Sequence, residues 1–293
     1  MFIAGIDGGG THTRLELRDM ENRLIRREVF GPFNLNSIGE DAFRALLRQV
    51  FAACGSMAEC ASICVGAAGI SNPRVGQIFQ EELEASGFSG VWKLCGDQEI
   101  ALRGAMDGPG VAVIAGTGSI CFGKNAQGQT ARSGGYGHLI DDGGSGYALG
   151  RDVLSCAVQT VDGRSSSPDL LQAVYAQLSA QRPEDIVSFV YSPATDKSAI
   201  AKFARIALDQ AAKGDAGALR ILSRGAAELH DLVLAVQNRL GLGGCRIALL
   251  GGLLSSENPY QEAVIQALSA IGTPLSPAHD ALWGAAQMAW EQL

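Results

Sequence analysis

At 293 residues the chain is longer than a typical single domain, and with 47% hydrophobic and 18% charged residues it can build substantial cores, which excludes a disordered chain and leads us to expect two domains. A formal net charge of -7 argues against non-specific binding to nucleic acid or to an anionic membrane surface. No stretch approaches the roughly 20 apolar residues of a membrane span, and the N-terminus opens directly on Phe2-Ile3-Ala4-Gly5-Ile6-Asp7, so a soluble, cytoplasmic protein is expected.

Residues 2–7 read as a strand ending at Asp7, followed by Gly8-Gly9-Gly10-Thr11. Arg14 to Arg18 alternates polar and apolar residues, and Leu24 to Phe30 supplies a third strand. The result is a β-hairpin whose glycine-rich tip follows an acid. An Asp at the end of a buried strand is costly to desolvate unless it meets cations or donors. A hydrated Mg²⁺ is one natural partner, while the glycines and Thr11 offer N–H and O–H groups to phosphate oxygens. An ordinary Asp-Gly turn is the plain alternative, but three glycines in a row exceed what such a turn requires.

Gly31 to Asn36 reads as a loop, and Gly39 opens a helix to about Cys54 with Phe43, Leu46, Leu47, Val50 and Phe51 as its apolar stripe. Ile63 to Ala67 is a strand running into Gly66-Ala67-Ala68-Gly69, and Pro73 to Ser86 a helix. Val91 to Leu94 is a strand terminating at Cys95-Gly96-Asp97, ahead of a helix over Glu99 to Met106. Asp97 stands at the carboxyl end of a strand, where α/β proteins bind ligands. Locally it reads equally well as a helix N-cap.

Pro109 and Gly110 break the pattern, and the order then restarts. A strand over 111–115, the turn Gly116-Thr117-Gly118-Ser119, a strand over 120–124, a turn at Asn125 to Gly128 and a third strand repeat the N-terminal arrangement. The chain therefore reads as a duplicated domain with a boundary near 107–110. Gly116 and Gly118 carry no Cβ, so their backbone N–H groups can approach a phosphate. Taken alone, this turn reads equally as a glycine-rich hairpin in some core.

Ser133 to Tyr147 is rich in glycine, carries the acid pair Asp141-Asp142 and fits no regular element, which marks it as a functional loop. Helices follow from about Tyr147, near 168–180, 182–191 and 197–213, and over Asp215 to Arg239. Arg246 to Leu250 is a strand closing on Gly251-Gly252. Asn258 to Ala270 is helical, and a last helix over Ala281 to Gln292 begins after His279-Asp280. The seven cysteines are scattered, odd in number and mostly in apolar contexts, so they read as free buried thiols, and no structural metal is assigned.

Three glycine-bearing turns at strand ends, over a duplicated α/β chain with acids at Asp7 and Asp97, resemble the acetate and sugar kinase/Hsp70/actin superfamily. Gly5-Ile6-Asp7-Gly8-Gly9-Gly10-Thr11-His12-Thr13-Arg14, Ala115 to Ser119 and Gly134 to Gly146 resemble, in order and spacing, the N-acetylglucosamine kinase and bacterial glucosamine kinase group, which includes the BadF/BadG/BcrA/BcrD-type ATPases. The resemblance covers essentially the whole chain. It implies an α/β, duplicated actin-like ATPase (ribonuclease H-like) fold with two domains around a central ATP cleft. Residues 1–108, joined by the helix 281–293, would form one domain and 109–280 the other.

The resemblance also assigns roles. ATP and Mg²⁺ would be the cofactors, with Asp7 orienting Mg²⁺ through water. Gly8, Gly9, Gly10, Thr11, Gly116, Thr117, Gly118 and Ser119 would hold ATP phosphates, and Gly251, Gly252 and Ala201 would border the adenosine. Asp97 would be the general base that takes the proton of the attacking sugar hydroxyl. Asn34, Gly135, Tyr136, Gly137 and Asp142 would hold the sugar. Tyr136 stands where the group has Trp, and Gly143 where it often has Glu; both departures bear on sugar identity. The implied activity is phosphorylation of the 6-hydroxyl of N-acetylglucosamine or glucosamine by a homodimer acting on small molecules. Two other readings are carried: a BadF-type ATPase acting on a partner enzyme through an iron–sulfur cluster, for which Cys121 and Cys156 are the candidate ligands, and a non-catalytic sugar sensor.

Overall fold

The computed structural model describes residues 1–67, 69–70 and 72–293. Ala68, within the run Gly66-Ala67-Ala68-Gly69, lies outside them. The chain forms two compact units, Met1–Gly108 with Pro277–Leu293, and Pro109–Ser276.

The first unit begins with β1 (Phe2–Gly8), β2 (Thr13–Asp19) and β3 (Leu24–Phe30), followed by α1 (Leu35–Ile38), α2 (Glu40–Cys54), β4 (Cys60–Ala67), α3 (Pro73–Ala85), β5 (Val91–Gly96) and α4 (Asp97–Ala105). Its sheet runs β3-β2-β1-β4-β5, with β1–β2 and β2–β3 antiparallel and β1–β4 and β4–β5 parallel. β1 is an unbroken apolar run because both of its faces are covered. Phe2, Ala4 and Ile6 pack with Phe43, Leu47, Ile78 and Phe79 of α2 and α3, while Ile3 packs with Ile100 of α4 and with Ala285 and Ala289 of the final helix. That helix, α12 in chain order (Ala281–Trp290), sits flush on the sheet: a side chain at Gly5 would collide with the Ala286 backbone, and one at Gly284 with the α4 backbone.

The second unit holds β6 (Gly110–Ala115), β7 (Ser119–Lys124), β8 (Thr130–Gly134), α5 (Gly146–Val161), α6 (Pro168–Leu178), α7 (Pro183–Val190), α8 (Lys197–Ala201), α9 (Ala204–Ala211), α10 (Ala216–Leu240), β9 (Arg246–Leu250), α11 (Pro259–Leu268) and β10 (Thr273–Leu275). Its sheet order is β10-β9-β6-β7-β8. Read from the other edge, this is the order of the first unit: an antiparallel three-strand meander continued by two parallel strands. The duplication inferred from motif order is thus a duplication of topology. α10 buries Ile221, Leu222, Ala226, Leu229, Val233 and Val236 along one stripe.

Three local readings change. The helix expected over 197–213 breaks at Lys202–Phe203, where Phe203 turns into the core and its ring lies tilted against Phe189 with centres 5.4 Å apart. Within the loop expected before Gly39, Leu35–Ile38 makes one helical turn. β10, only three residues long, offers too little alternation to be read from sequence.

Candidate active site

The hairpin register sets the first tip. Gly8 pairs with Thr13, so Gly9, Gly10, Thr11 and His12 form its loop, closed by the Gly9 N–H donating to the His12 carbonyl at 2.9 Å. Thr11 is exposed, and the Gly10 and Thr11 N–H groups make no hydrogen bond with the described residues. Two free N–H groups and a hydroxyl at one exposed turn suit an anion. Phe33 lies under Gly8, its N–H donating to the Gly9 carbonyl at 2.9 Å, which brings Asn34 to this loop. Asn34 precedes α1, and its side-chain amide makes no hydrogen bond with the described residues.

Asp7 does not stand alone. The same register sets it opposite Arg14, whose Nε donates to Asp7 Oδ2 at 3.1 Å while Nη2 donates to the same oxygen. Asp7, expected to face a metal ion, thus also meets an arginine, a pairing that hairpin register fixes and the motif alone does not contain.

Asp97 is the first residue of α4, where the helix dipole favours a carboxylate. Its Oδ1 accepts the Gln98 N–H at 3.0 Å. Asp7, Gly66 and Cys95 lie in register across β1, β4 and β5, so the Asp97 turn begins two strand spacings from the first tip, about 9–10 Å. Partial desolvation pushes the Asp97 carboxyl above its ordinary value; the Gln98 N–H counters this and the negative charge of Asp7 adds to it. Among the described residues no group of three or more His, Cys, Asp or Glu could hold a metal by itself. The donor set, one carboxylate oxygen without a hydrogen bond beside a turn of free N–H groups, suits a Mg²⁺ that keeps its waters and is brought by phosphate.

In the second unit Ala115 pairs with Ser119, leaving Gly116-Thr117-Gly118 as the tip. This turn is braced from four directions. The Gly146 N–H donates to the Gly116 carbonyl at 2.8 Å, the Tyr147 N–H to the Thr117 carbonyl at 3.2 Å, and the Leu253 N–H to the Ala115 carbonyl at 3.2 Å. Asp142, only 4% exposed and in a left-handed conformation, accepts the Ser119 N–H through Oδ1 at 3.3 Å. A Cβ on Gly118 would stand 2.9 Å from Asp142 Oδ2. Thr117 remains exposed, and its N–H and that of Gly118 make no hydrogen bond with the described residues.

The remaining nucleotide candidates gather at this turn. Gly251 follows β9 at φ +90, against the Ala115 backbone, and Gly252 beside it is exposed. Ala201, at the end of α8, packs against Gly146 and Gly150, and the Gly146 N–H in turn holds Gly116. The break in the 197–213 helix is what sets Ala201 there.

Of the sugar candidates in this unit, Asp142 is the one turned toward the phosphate-type tip. Gly135, Tyr136 and Gly137 form an exposed loop after β8. Tyr136 is 63% exposed, its N–H donates to Asp141 Oδ2 at 3.1 Å, and the Arg132 guanidinium lies 5.0 Å from its ring centre. Two supports escaped the motif reading because they come from distant elements. Glu228 of α10 accepts the Gly144 N–H at 2.8 Å, and the buried Tyr260 hydroxyl donates to the Gly144 carbonyl at 2.6 Å. All seven cysteines are free thiols. Cys121 is fully enclosed and Cys156 is 7% exposed, so neither offers a surface ligand to a cluster shared with a partner. Among the described residues no helix is long and apolar enough to cross a membrane.

Comparison with known proteins gives the geometry a context. The model of the BadF/BadG/BcrA/BcrD ATPase family matches residues 4–289. An N-acetylmuramic acid/N-acetylglucosamine kinase of Clostridium acetobutylicum is 32% identical over 265 residues, covering 88% of this chain and 87% of that protein. An N-acetyl-D-glucosamine kinase of Dictyostelium discoideum is 32% identical over 258 residues, covering 83% and 81%. A crystal structure from Chromobacterium violaceum, 24% identical and covering 98% of both chains, superposes with a TM-score of 0.77, which establishes the common fold.

Proposed function

The chain belongs to the BadF/BadG/BcrA/BcrD ATPase family, and on that premise we propose that it is an ATP-dependent kinase transferring the γ-phosphoryl group to the 6-hydroxyl of N-acetylglucosamine or glucosamine. The observation that carries this reading is Asp97: a carboxylate with a raised pKa at the carboxyl end of β5, two strands from the Asp7 tip. Phosphoryl transfer needs positioning and charge neutralisation more than covalent chemistry. The free N–H groups at Gly10, Thr11, Thr117 and Gly118, with the Thr11 and Thr117 hydroxyls, supply phosphate donors on both units. Gly8, Gly9, Gly116 and Ser119 shape those turns; Gly251, Gly252 and Ala201 border the adenosine.

Asp97 takes the proton of the attacking hydroxyl, a contribution of about 10²–10⁴-fold. Bound Mg²⁺ supplies charge neutralisation at the phosphates, and Asp7 orients it through water. Asn34, with its uncommitted amide, and the Gly135-Tyr136-Gly137 loop hold the sugar; Asp142 joins them through Oδ2, which makes no hydrogen bond with the described residues. The family resemblance supports a homodimer, and ATP as phosphoryl donor supports a cytoplasmic location.

A coupled ADP-release assay tests the reading. N-acetylglucosamine, glucosamine and glucose are compared, with N-acetylmuramic acid added because the Clostridium relative's name includes it. Turnover stimulated by an amino sugar, and dependent on Mg²⁺, is expected. Absence of stimulation by any of the four sugars would overturn it.

A further inference from the structure

Asp7 is gripped by one of its two oxygens. Arg14 Nε and Nη2 both donate to Oδ2, and Oδ1 makes no hydrogen bond with the described residues. The two side chains differ in exposure, 15% for Asp7 and 39% for Arg14, so the arginine approaches from the solvent side of a mostly covered carboxylate. Arg14 is itself held. Its Nη1 lies 3.5 Å from Asp280 Oδ2, and Asp280 is fixed in turn because its Oδ1 caps α12, accepting the Trp283 N–H at 2.8 Å. Since α12 sits flush on β1 and α4, the elements bearing Asp7 and Asp97, the chain's last helix anchors this relay to a rigid support.

We propose that Arg14 is a positioning residue for Asp7: its forked guanidinium locks the carboxylate and leaves Oδ1 as the single oxygen offered to hydrated Mg²⁺, with Asp280 holding the fork in place. The inference rests on the reading of Asp7 as the acid that orients Mg²⁺. Two donors of one planar group converge on one oxygen, which a lysine cannot reproduce. Because Arg14 is over a third exposed, its charge is screened by solvent, and loss of the fork outweighs loss of the charge. Partners that orient a metal-binding group commonly contribute about 10–100-fold to metal affinity.

The test is calorimetric binding of ADP with and without Mg²⁺, in the absence of sugar, for the parent protein, Asp7→Asn, Arg14→Gln, Arg14→Lys and Asp280→Asn. The parent and Asp7→Asn define how much of the Mg²⁺-dependent gain in ADP affinity passes through Asp7. Arg14→Gln is expected to lose about tenfold or more of that gain while Mg²⁺-free ADP affinity stays within about twofold. Arg14→Lys falls between. Asp280→Asn, which keeps an N-cap, loses a smaller part. Retention of the full gain in Arg14→Gln, where Asp7→Asn loses it, overturns the inference. Equal weakening with and without Mg²⁺ also overturns it, because Arg14 would then touch phosphate directly. Full gain in Asp7→Asn, or none in the parent, instead overturns the reading of Asp7 on which the inference rests. Should Arg14→Gln fail to fold, Arg14→Lys and Asp280→Asn decide: parental gain in both overturns the proposal.

Discussion

The two glycine tips occupy the same place in two copies of one topology, yet they are built oppositely. Asp7-Gly8 ends β1 where Ile114-Ala115 ends β6. The first tip carries its acid in the strand, answers it with Arg14 across the hairpin, and leaves Gly10, Thr11 and His12 exposed. The second has an apolar strand end and receives its carboxylate from Asp142, buried beneath Ser119, while Gly146, Tyr147 and Leu253 fasten its carbonyls. One copy presents paired side-chain charge and the other a fixed backbone cradle. On the proposed function, side-chain chemistry would concentrate on the first unit, in Asp7 and Asp97, and preorganised donors on the second, where rigidity avoids reorganisation as charge develops.

The comparison breaks first at Asp97. Asp97→Asn is expected to lower kcat by about 10²–10⁴-fold with sugar affinity nearly unchanged in equilibrium binding, since the amide keeps size and polarity. Its Tm at pH 8 should not fall. A carboxyl whose folded pKa is raised makes the fold less stable as pH rises from its unfolded to its folded value, so an amide there removes a penalty. A large Tm loss would mean that Asp97 serves the fold as a cap.

Gly118→Ala against Gly10→Ala compares the braced tip with the open one. The first puts a methyl group against the buried Asp142 carboxylate and should cost about 1–3 kcal/mol, with a raised KM for ATP. The second meets open space, and its Tm should stay near that of the parent. Thermal unfolding of the pair reads the difference; equal Tm values would erase it.

Asp142→Ala leaves the buried Ser119 N–H without its acceptor, at about 1–3 kcal/mol, and should raise KM for ATP as the turn loosens. KM for the sugar should rise as well, because Oδ2 is lost with the same side chain; an unchanged sugar KM would confine Asp142 to the cradle. Tyr260→Phe removes a single hydroxyl bond to Gly144, about 1 kcal/mol by denaturant titration, with kcat nearly unchanged. The pH profile reads the same carboxylate as Asp97→Asn. As the proposed base, Asp97 would act only when ionised, so kcat/KM should fall as pH drops through its raised pKa, with the acid limb above the ordinary value of about 4.

Much of the fold was legible in the sequence because strand alternation, helical stripes and glycine turns are local patterns. The repeat of strand, Gly/Thr turn and strand at 2–18 and 111–124 announced the duplicated topology, and the same glycines carried the family resemblance. Asp97 was legible as an acid at a strand's end but not as a group with a raised pKa, since that depends on what surrounds it. The identity of the tips, the placing of acids at strand ends and the family were therefore determined by the sequence alone. Tertiary structure decided the rest: Arg14 on Asp7 by hairpin register, Asp142 beneath Ser119 by the return of a loop, Ala201 near the second tip by a broken helix, and α12 against β1 and α4 by the chain's return to its first unit. Each of these pairs residues from separate elements. A contact of that kind is specified by sheet register and by which backbones lie close enough to touch, quantities that no local run of residues contains.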